Sequence, residues 1–176
     1  TELLQEESEQ DAIHARLLQI IYDNTQRLDR MVQDVLQLNR RDRAKPELIE
    51  LNAYLPEFVE QFCATEKVPP ETFKQASFEL SLVSSVVAAS ICFDRHHFNQ
   101  VLWNLCRNAW RHGRKQAASI RLEVSIPAGG NLVQLDVVDD GQGVPEDLRN
   151  QLFEPFFTTD SKGTGLGLYI ARELCE

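Results

Sequence analysis

The 176-residue chain is poor in the residues that staple small proteins or thread membranes. It has four cysteines, Cys63, Cys92, Cys106 and Cys175, with no CxxC and no metal-ligand spacing, and three of them lie in apolar runs. This excludes a disulfide scaffold and a zinc site, and predicts reduced thiols in a cytoplasmic setting. No apolar run approaches ~18 residues, so no segment reads as a membrane-spanning helix. Positive charge is scarce, with 18 Lys and Arg against 27 Asp and Glu and a formal net charge of −9. Nucleic acid and anionic membrane are therefore excluded as main partners of the whole surface, and an anionic ligand must be held by local features. Repeats, low-complexity tracts, a signal-peptide pattern and an initiator Met are all missing, so the chain is expected to be a piece cut from a longer protein.

What is present suits a globular fold: 43% hydrophobic and 26% charged residues. Residues 11–44 contain neither Gly nor Pro. Leu17, Ile21, Asn24, Leu28, Met31, Val35 and Leu38 step by 4, 3, 4, 3, 4 and 3, a heptad seam with one polar member. Such a seam needs another helix to cover it. Thr1 and the next three residues are expected to be the tail of a neighbouring helix, with 5–10 as an acidic turn. Arg40, Arg41, Arg43 and Lys45 crowd the helix end, and Pro46 stops it. A boundary at 46/47 follows.

Beyond it the spacing predicts a helix from an Asn52 cap to about Cys63, with Phe58, Val59 and Phe62 on one side. Strands are expected over 78–82 and 89–93, then a helix over 94–112 closed by Gly113. Strands over 119–126 and 132–138 follow, joined by a turn at 127–131, with Ile120, Leu122, Val124 and Ile126 facing one way and Val133, Leu135 and Val137 inward. The expected class is α+β: a two-layer sandwich of one largely antiparallel sheet with helices on one face, preceded by a long coiled-coil-type helix.

Chemistry concentrates in four places. On the 94–112 helix, Phe98, Val101, Leu102, Leu105 and Ala109 make an apolar stripe expected to face the sheet. Asn104, Asn108 and Arg111 run beside it at i, i+4 and i+7, with His112 between. Amides, a guanidinium and an imidazole on one edge can coordinate a cation and touch phosphate oxygens, or can simply form a solvated flank. Asp139-Asp140-Gly141-Gln142-Gly143-Val144-Pro145 ends the last strand. Period-two alternation carries Asp139 toward the core, where a purine amine is a fitting donor, and Gly141 and Gly143 let backbone approach a flat ring. A simple Asp-Gly turn is the rival. An EF-hand loop from Asp136 is rejected because Val138 would occupy a ligand position.

Gly163-Thr164-Gly165-Leu166-Gly167-Leu168 opens another helix. Alternate glycines with exposed N–H groups make an anion site, with Lys162 adding a cation beside it. The spacing is neither a Walker A loop nor the Rossmann fingerprint. Between the glycine clusters, Phe153-Glu154-Pro155-Phe156-Phe157-Thr158-Thr159-Asp160-Ser161 reads as a mobile lid or a loop pinned by its phenylalanines.

Together these segments resemble the catalytic, ATP-binding domain of bacterial sensor histidine kinases, within the gyrase, Hsp90, histidine-kinase and MutL superfamily with its Bergerat-type mixed-sheet fold. Asn104-Leu105-Cys106-Arg107-Asn108-Ala109 is similar to the N box, Asp139 to Gly143 to the first glycine box, Phe153 to Thr159 to the F box, and Gly163 to Leu168 to the second glycine box. The likeness covers 48–176, and 1–45 resembles the second helix of the dimerisation and phosphotransfer hairpin. The run Val35-Leu36-Gln37-Leu38-Asn39-Arg40-Arg41 and the lid Phe156-Phe157-Thr158-Thr159 look most like nitrogen-regulation and type IV pilus sensor kinases.

The resemblance implies a protein-histidine kinase using ATP and Mg²⁺. It implies that Asp139 takes the adenine amino group, with Gly141, Gly143 and Val144 around the base. Asn108 would hold Mg²⁺ with Asn104 beside it, and Arg111 and His112 would touch phosphate. Phe156, Thr158, Thr159 and Lys162 would belong to the lid, and Gly163, Thr164, Gly165, Leu166, Gly167 and Leu168 to the phosphate cradle. It also implies a homodimer, a response-regulator partner of the sigma-54-dependent kind, no direct nucleic-acid binding, and a cytoplasmic place in an inner-membrane parent. The family's His-Glu-x-Arg-Asn-Pro acceptor motif is missing. His14 lacks that context, and His96 and His97 read as surface or capping residues, so autophosphorylation within these residues is not expected. Asp160 stands where many relatives carry a cation, with Lys162 as its substitute, and the closing strands of the sheet are expected beyond Glu176. A non-kinase ATPase clamp of the same superfamily and a nucleotide-binding module without catalysis remain the alternatives.

Overall fold

The computed structural model describes residues 2–38, 44–73, 89–127, 132–160 and 163–176, the side chains of 2–12, 33, 34, 37 and 38 excepted. The expected strand at 78–82, the arginines at 40, 41 and 43, and the tip of the 127–131 turn lie outside the described residues.

Helix α1 spans Glu2–Leu38 without a break. The turn expected at 5–10 is not there. Its glutamates and glutamines are good helix formers, and acidic residues in the first turns complement the helix dipole. The seam residues Leu17, Ile21, Leu28 and Val35 are exposed. Among the described side chains of α1, Arg27, Arg30 and Met31 alone are shielded.

Strand β1 (Glu47–Glu50) pairs antiparallel with β2 (Ser90–Phe93), Glu47 opposite Phe93 and Glu50 opposite Ser90. Helix α2 (Leu51–Glu66) starts directly after β1. Asn52 is not its cap. The Leu51 N–H donates to the Ala89 carbonyl at 2.9 Å, so the neighbouring strand satisfies an end donor that a side chain would otherwise serve. Strand β3 (Ile120–Ser125) pairs antiparallel with β4 (Gln134–Asp139), Ile120 opposite Asp139. Ile120, Leu122 and Val124 are buried, whereas Ile126 is exposed. Instead of one sheet, the described residues form two two-stranded ladders, with a parallel bridge from Phe73 to Ile120.

The main core joins α2, helix α3 (Arg95–His112) and the inner face of β3 and β4. Phe62 stacks edge-on with Trp103 at 5.1 Å and with Phe73 at 5.7 Å. A second cluster packs α3 on helix α4 (Gly167–Cys175) through Val101, Leu166, Ile170, Ala171 and Leu174. Leu105 belongs to this second cluster and Cys106 takes its place in the first, so α3 is covered on two sides and not by the sheet alone. No helix among the described residues is long and apolar enough to cross a membrane.

Asp94 ties the start of α3 to the segment just before β1. Its Oδ1 accepts the His96 and His97 backbone N–H groups at 2.9 and 3.0 Å, capping α3, and its Oδ2 accepts the Lys45 N–H at 2.7 Å. The His97 side chain is buried, not a surface residue. These backbone hydrogen bonds, Lys45's foremost, hold the Asp94 carboxyl below its ordinary value. Asp94→Ala is expected to cost about 1 kcal/mol in denaturant unfolding at neutral pH. Because the folded-state pKa is depressed, that contribution is complete above the unfolded carboxylate range. It is lost as pH falls through the folded value, so wild type and variant should converge in acid.

Candidate functional site

Helical geometry fixes the site. Burial of Phe98, Leu102, Cys106 and Ala109 sets the rotation of α3, which brings Asn104, Asn108, Arg111 and His112 to the wall of a cavity of about 430 Å³. That volume is within the range of small-molecule sites. Asn104 Nδ2 is buried with no hydrogen-bond partner among the described residues, a donor a ligand would satisfy. Cys106, between the two asparagines in sequence, faces the core. Burial first, and the Cys63 thiol second, push its own thiol up to about 12, so it takes no part in polar chemistry here.

The end of β4 meets the end of α3 at Gly141. Its N–H donates to Asp139 Oδ1 at 2.8 Å, and a Cβ there would lie 2.7 Å from the His112 carbonyl oxygen. Gly141 is thus needed for this junction and does not line the cavity. Asp140 braces the same corner, accepting the Arg114 N–H at 2.9 Å and Gln116 Nε2 at 3.0 Å. Asp139 lines the cavity as expected but is exposed, not buried, where β4 ends. Gly143 lines the cavity with φ +74° and open space where a Cβ would sit, so conformation rather than close approach explains it. Val144, Pro145, Leu148 and Leu152 supply an apolar wall around the 3₁₀ segment Glu146–Gln151.

Thr158, Thr159, Thr164, Gly165, Gly167 and Leu168 close the cavity. Phe156 does not line it. It is exposed, with φ +67°, and its neighbour Phe157 faces the cavity instead. Gly165 (φ +71°) lies against the Phe156 backbone, where a Cβ would come within 2.6 Å of the Phe156 carbonyl oxygen. Gly163 is buried beneath Thr158 and Arg111, and Leu166 is a core residue of the second cluster, so both support the loop from behind. Arg111 Nε pairs with Asp160 Oδ2 at 3.3 Å, tying α3 to the lid. Lys162 lies outside the described residues.

Arg30, Arg107, Pro145, Leu148, Leu152 and Phe157 also line the cavity; Arg107, Pro145 and Phe157 lie within the motifs read from the sequence but were given no site role, and the other three lie outside those motifs. Arg107 is i+3 from Asn104, and 145, 148 and 152 have helical spacing, so both were readable from periodicity. Arg30 lies on a distant helix and carries no local signal. Arg107 is held by Glu66, which accepts from its Nε at 3.1 Å, from Nη2, and from Trp103 Nε1 at 3.1 Å. Among the described lining residues Asp139 is the one acid, against Arg30, Arg107 and Arg111. The described residues contain no group of three His, Cys, Asp or Glu able to hold a metal. A cation here would rest on an asparagine oxygen and the ligand's own oxygens, a donor set that fits hard, largely hydrated Mg²⁺.

Residues 93–176 match the family described as histidine kinase-, DNA gyrase B-, and HSP90-like ATPase. The chain is 43% identical over 180 residues to the sensor protein kinase PilS of Pseudomonas aeruginosa, covering 99% of this chain and 32% of the relative. It is 38% identical over 88 residues to the nitrogen regulation protein NtrY of Azorhizobium caulinodans, covering 48% of this chain and 11% of that one. The chain therefore spans a third or less of these relatives' length. Among solved structures, full-length ShkA in complex with AMPPNP aligns with 28% identity and a TM-score of 0.57, over 84% of this chain and 30% of that one.

Two glycine variants separate conformation from crowding. Gly143→Ala is expected to cost about 1–2 kcal/mol from its positive φ alone. Gly165→Ala adds a backbone collision and should destabilise more in thermal unfolding, with faster proteolysis across 152–160.

Proposed function

Because residues 93–176 belong to the histidine kinase-, DNA gyrase B- and HSP90-like ATPase family and the chain carries the catalytic ATP-binding domain of a bacterial sensor histidine kinase, we propose that it transfers the γ-phosphoryl group of ATP to a histidine outside these residues, for onward transfer to a response-regulator aspartate. One observation carries this reading: a single cavity is lined by one described carboxylate, Asp139, by the apolar Val144, Leu148 and Leu152, and by Asn104, Asn108, Arg111 and the start of α4.

In this reading Asp139 accepts the adenine amino hydrogen and the apolar wall covers the ring, with Gly141 holding Asp139 in place and Gly143 and Val144 shaping the turn. Asn108 offers its amide oxygen to Mg²⁺, with Asn104 beside it. The ion, when bound, supplies charge neutralisation across neighbouring phosphate oxygens. Arg111 and His112 donate to phosphate. The loop from Gly163 through Thr164, Gly165 and Leu166 to Gly167 and Leu168 brings N–H groups and a helix N-terminus to the same oxygens. Thr158, Thr159, Phe156 and Lys162 act as the lid. Catalysis is positioning and charge stabilisation, with the acceptor imidazole brought in line by the hairpin.

Residues 1–46 then form the second helix of a dimerisation hairpin and 47–176 the catalytic domain. The exposed seam of α1 supports a homodimer. The likeness to a sensor protein kinase supports a response-regulator partner. In this reading that regulator is of the sigma-54-dependent class, and the chain sits on the cytoplasmic side of an inner-membrane sensor. His14 is exposed on α1 but lacks an acceptor context, so phosphate is expected on a separate hairpin.

The test mixes the chain with Mg-ATP and a hairpin bearing the acceptor motif. Acid-labile phosphate on the hairpin is the expected result. Steady phosphate release without transfer would favour a clamp ATPase, and binding alone a nucleotide-sensing module. Asp139→Asn should abolish adenine-nucleotide binding by calorimetry, and Asn108→Ala should remove its Mg²⁺ dependence. Retained micromolar affinity in Asp139→Asn would overturn the assignment of the base site.

A further inference from the structure

Helix α1 touches the catalytic domain through a small and unusual patch. Its shielded described side chains are Arg27, Arg30 and Met31, at i, i+3 and i+4. Met31 packs on the cluster of Val101, Leu166 and Ile170, immediately before Gly167. Arg30 lines the cavity, and Arg27 Nε, one turn earlier, is buried without a hydrogen-bond partner among the described residues. The shielded side chains among those described on α1 are thus two guanidinium groups and one thioether, a poor apolar set. Shielding a cation is costly unless an anion answers it.

The domain side sharpens the conflict. Arg107 and Arg111 line the same cavity, but Glu66 balances the first and Asp160 the second. Arg30 has no carboxylate partner among the described residues. Its one hydrogen bond there is from Nε to the Gln26 carbonyl of its own helix at 3.1 Å. Met31, next to Arg30 in sequence, packs on the Leu166 cluster, and Arg30 lines the cavity together with Gly167 and Asn104. An anion there would answer a guanidinium that has no carboxylate partner among the described residues.

We propose that Arg30 is a phosphate ligand supplied to the nucleotide pocket by the preceding helix, so that a bound nucleotide polyphosphate fastens α1 to the catalytic domain. This rests on the nucleotide reading of the cavity and adds a contact from outside the domain that the family match covers. The guanidinium donates through its terminal amino groups to phosphate oxygens.

Calorimetry on the full chain tests it. Arg30→Ala should weaken Mg-ATP binding about tenfold, as expected for a charge-assisted hydrogen bond, and Arg30→Lys should recover most of the loss. Arg16→Ala, the same charge change at an exposed position of α1, should leave ATP affinity at the wild-type value. Adenosine, which has no phosphate, should bind wild type and Arg30→Ala alike. Hydrogen exchange of the amides at 26–31 should slow on adding ATP in wild type and not in Arg30→Ala. Wild-type ATP affinity in Arg30→Ala, with binding still lost in Asp139→Asn, would overturn this proposal and leave the nucleotide reading standing. A wild-type chain that binds no adenine nucleotide would overturn both.

Discussion

The rotation of α3 about its own axis is the constraint from which the rest of the site follows. Phe98, Leu102, Cys106 and Ala109 are pinned in one core and Val101 and Leu105 in another, so two faces of the helix are spoken for. At 100° per residue, only a narrow edge is left for Asn104, Asn108 and Arg111, and that edge is where the cavity lies. A rotation of α3 by one residue would exchange polar for apolar groups across the whole wall. Deep packing on two sides therefore makes the polar edge rigid, which is what a site that works by positioning requires.

The strand end and the helix end are locked to one another as firmly. Gly141 lets the chain pass between Asp139 and the His112 carbonyl, and Asp140 accepts from Arg114 and Gln116 on the segment that leaves α3. The Asp140 N–H returns to the Ser119 carbonyl at 3.2 Å, just before β3 begins. Asp139, on β4, and His112, on α3, are thus held close together largely by backbone groups and short aspartate side chains, with the Gln116 amide as a further brace. The lid has weaker ties, chiefly Thr158 with Asp160 and Asp160 with Arg111.

Local periodicity made much of this legible. The alternation of Ile120, Leu122 and Val124, the polar edge of α3 and the glycine-opened α4 are short-range patterns found where their spacing puts them, whereas Ile126 is exposed and Val101 and Leu105 turn to α4 instead of the sheet. The misses are non-local. Strand β1 is four residues with glutamate at both ends, and only its ladder with β2 makes it a strand. Asn52 looked like a cap because the sequence could not disclose that Ala89 would serve the Leu51 N–H. Leu166 and Gly163 looked like lining because loop residues in a glycine cluster share a motif without sharing a direction. Arg30 stands 74 positions before Asn104 in sequence, and no local pattern announces that they meet at one cavity.

Arg27 is the first shielded side chain among those described on α1, which has a mechanical consequence. From Arg27 back to Glu2 the helix is an unbroken arm of roughly 38 Å, at 1.5 Å per residue. A tilt of ten degrees at such a fulcrum would swing the far tip by about 6.6 Å, more than one helical pitch. Leverage of that kind converts slight torque at either end into large travel at the other, without melting a single turn.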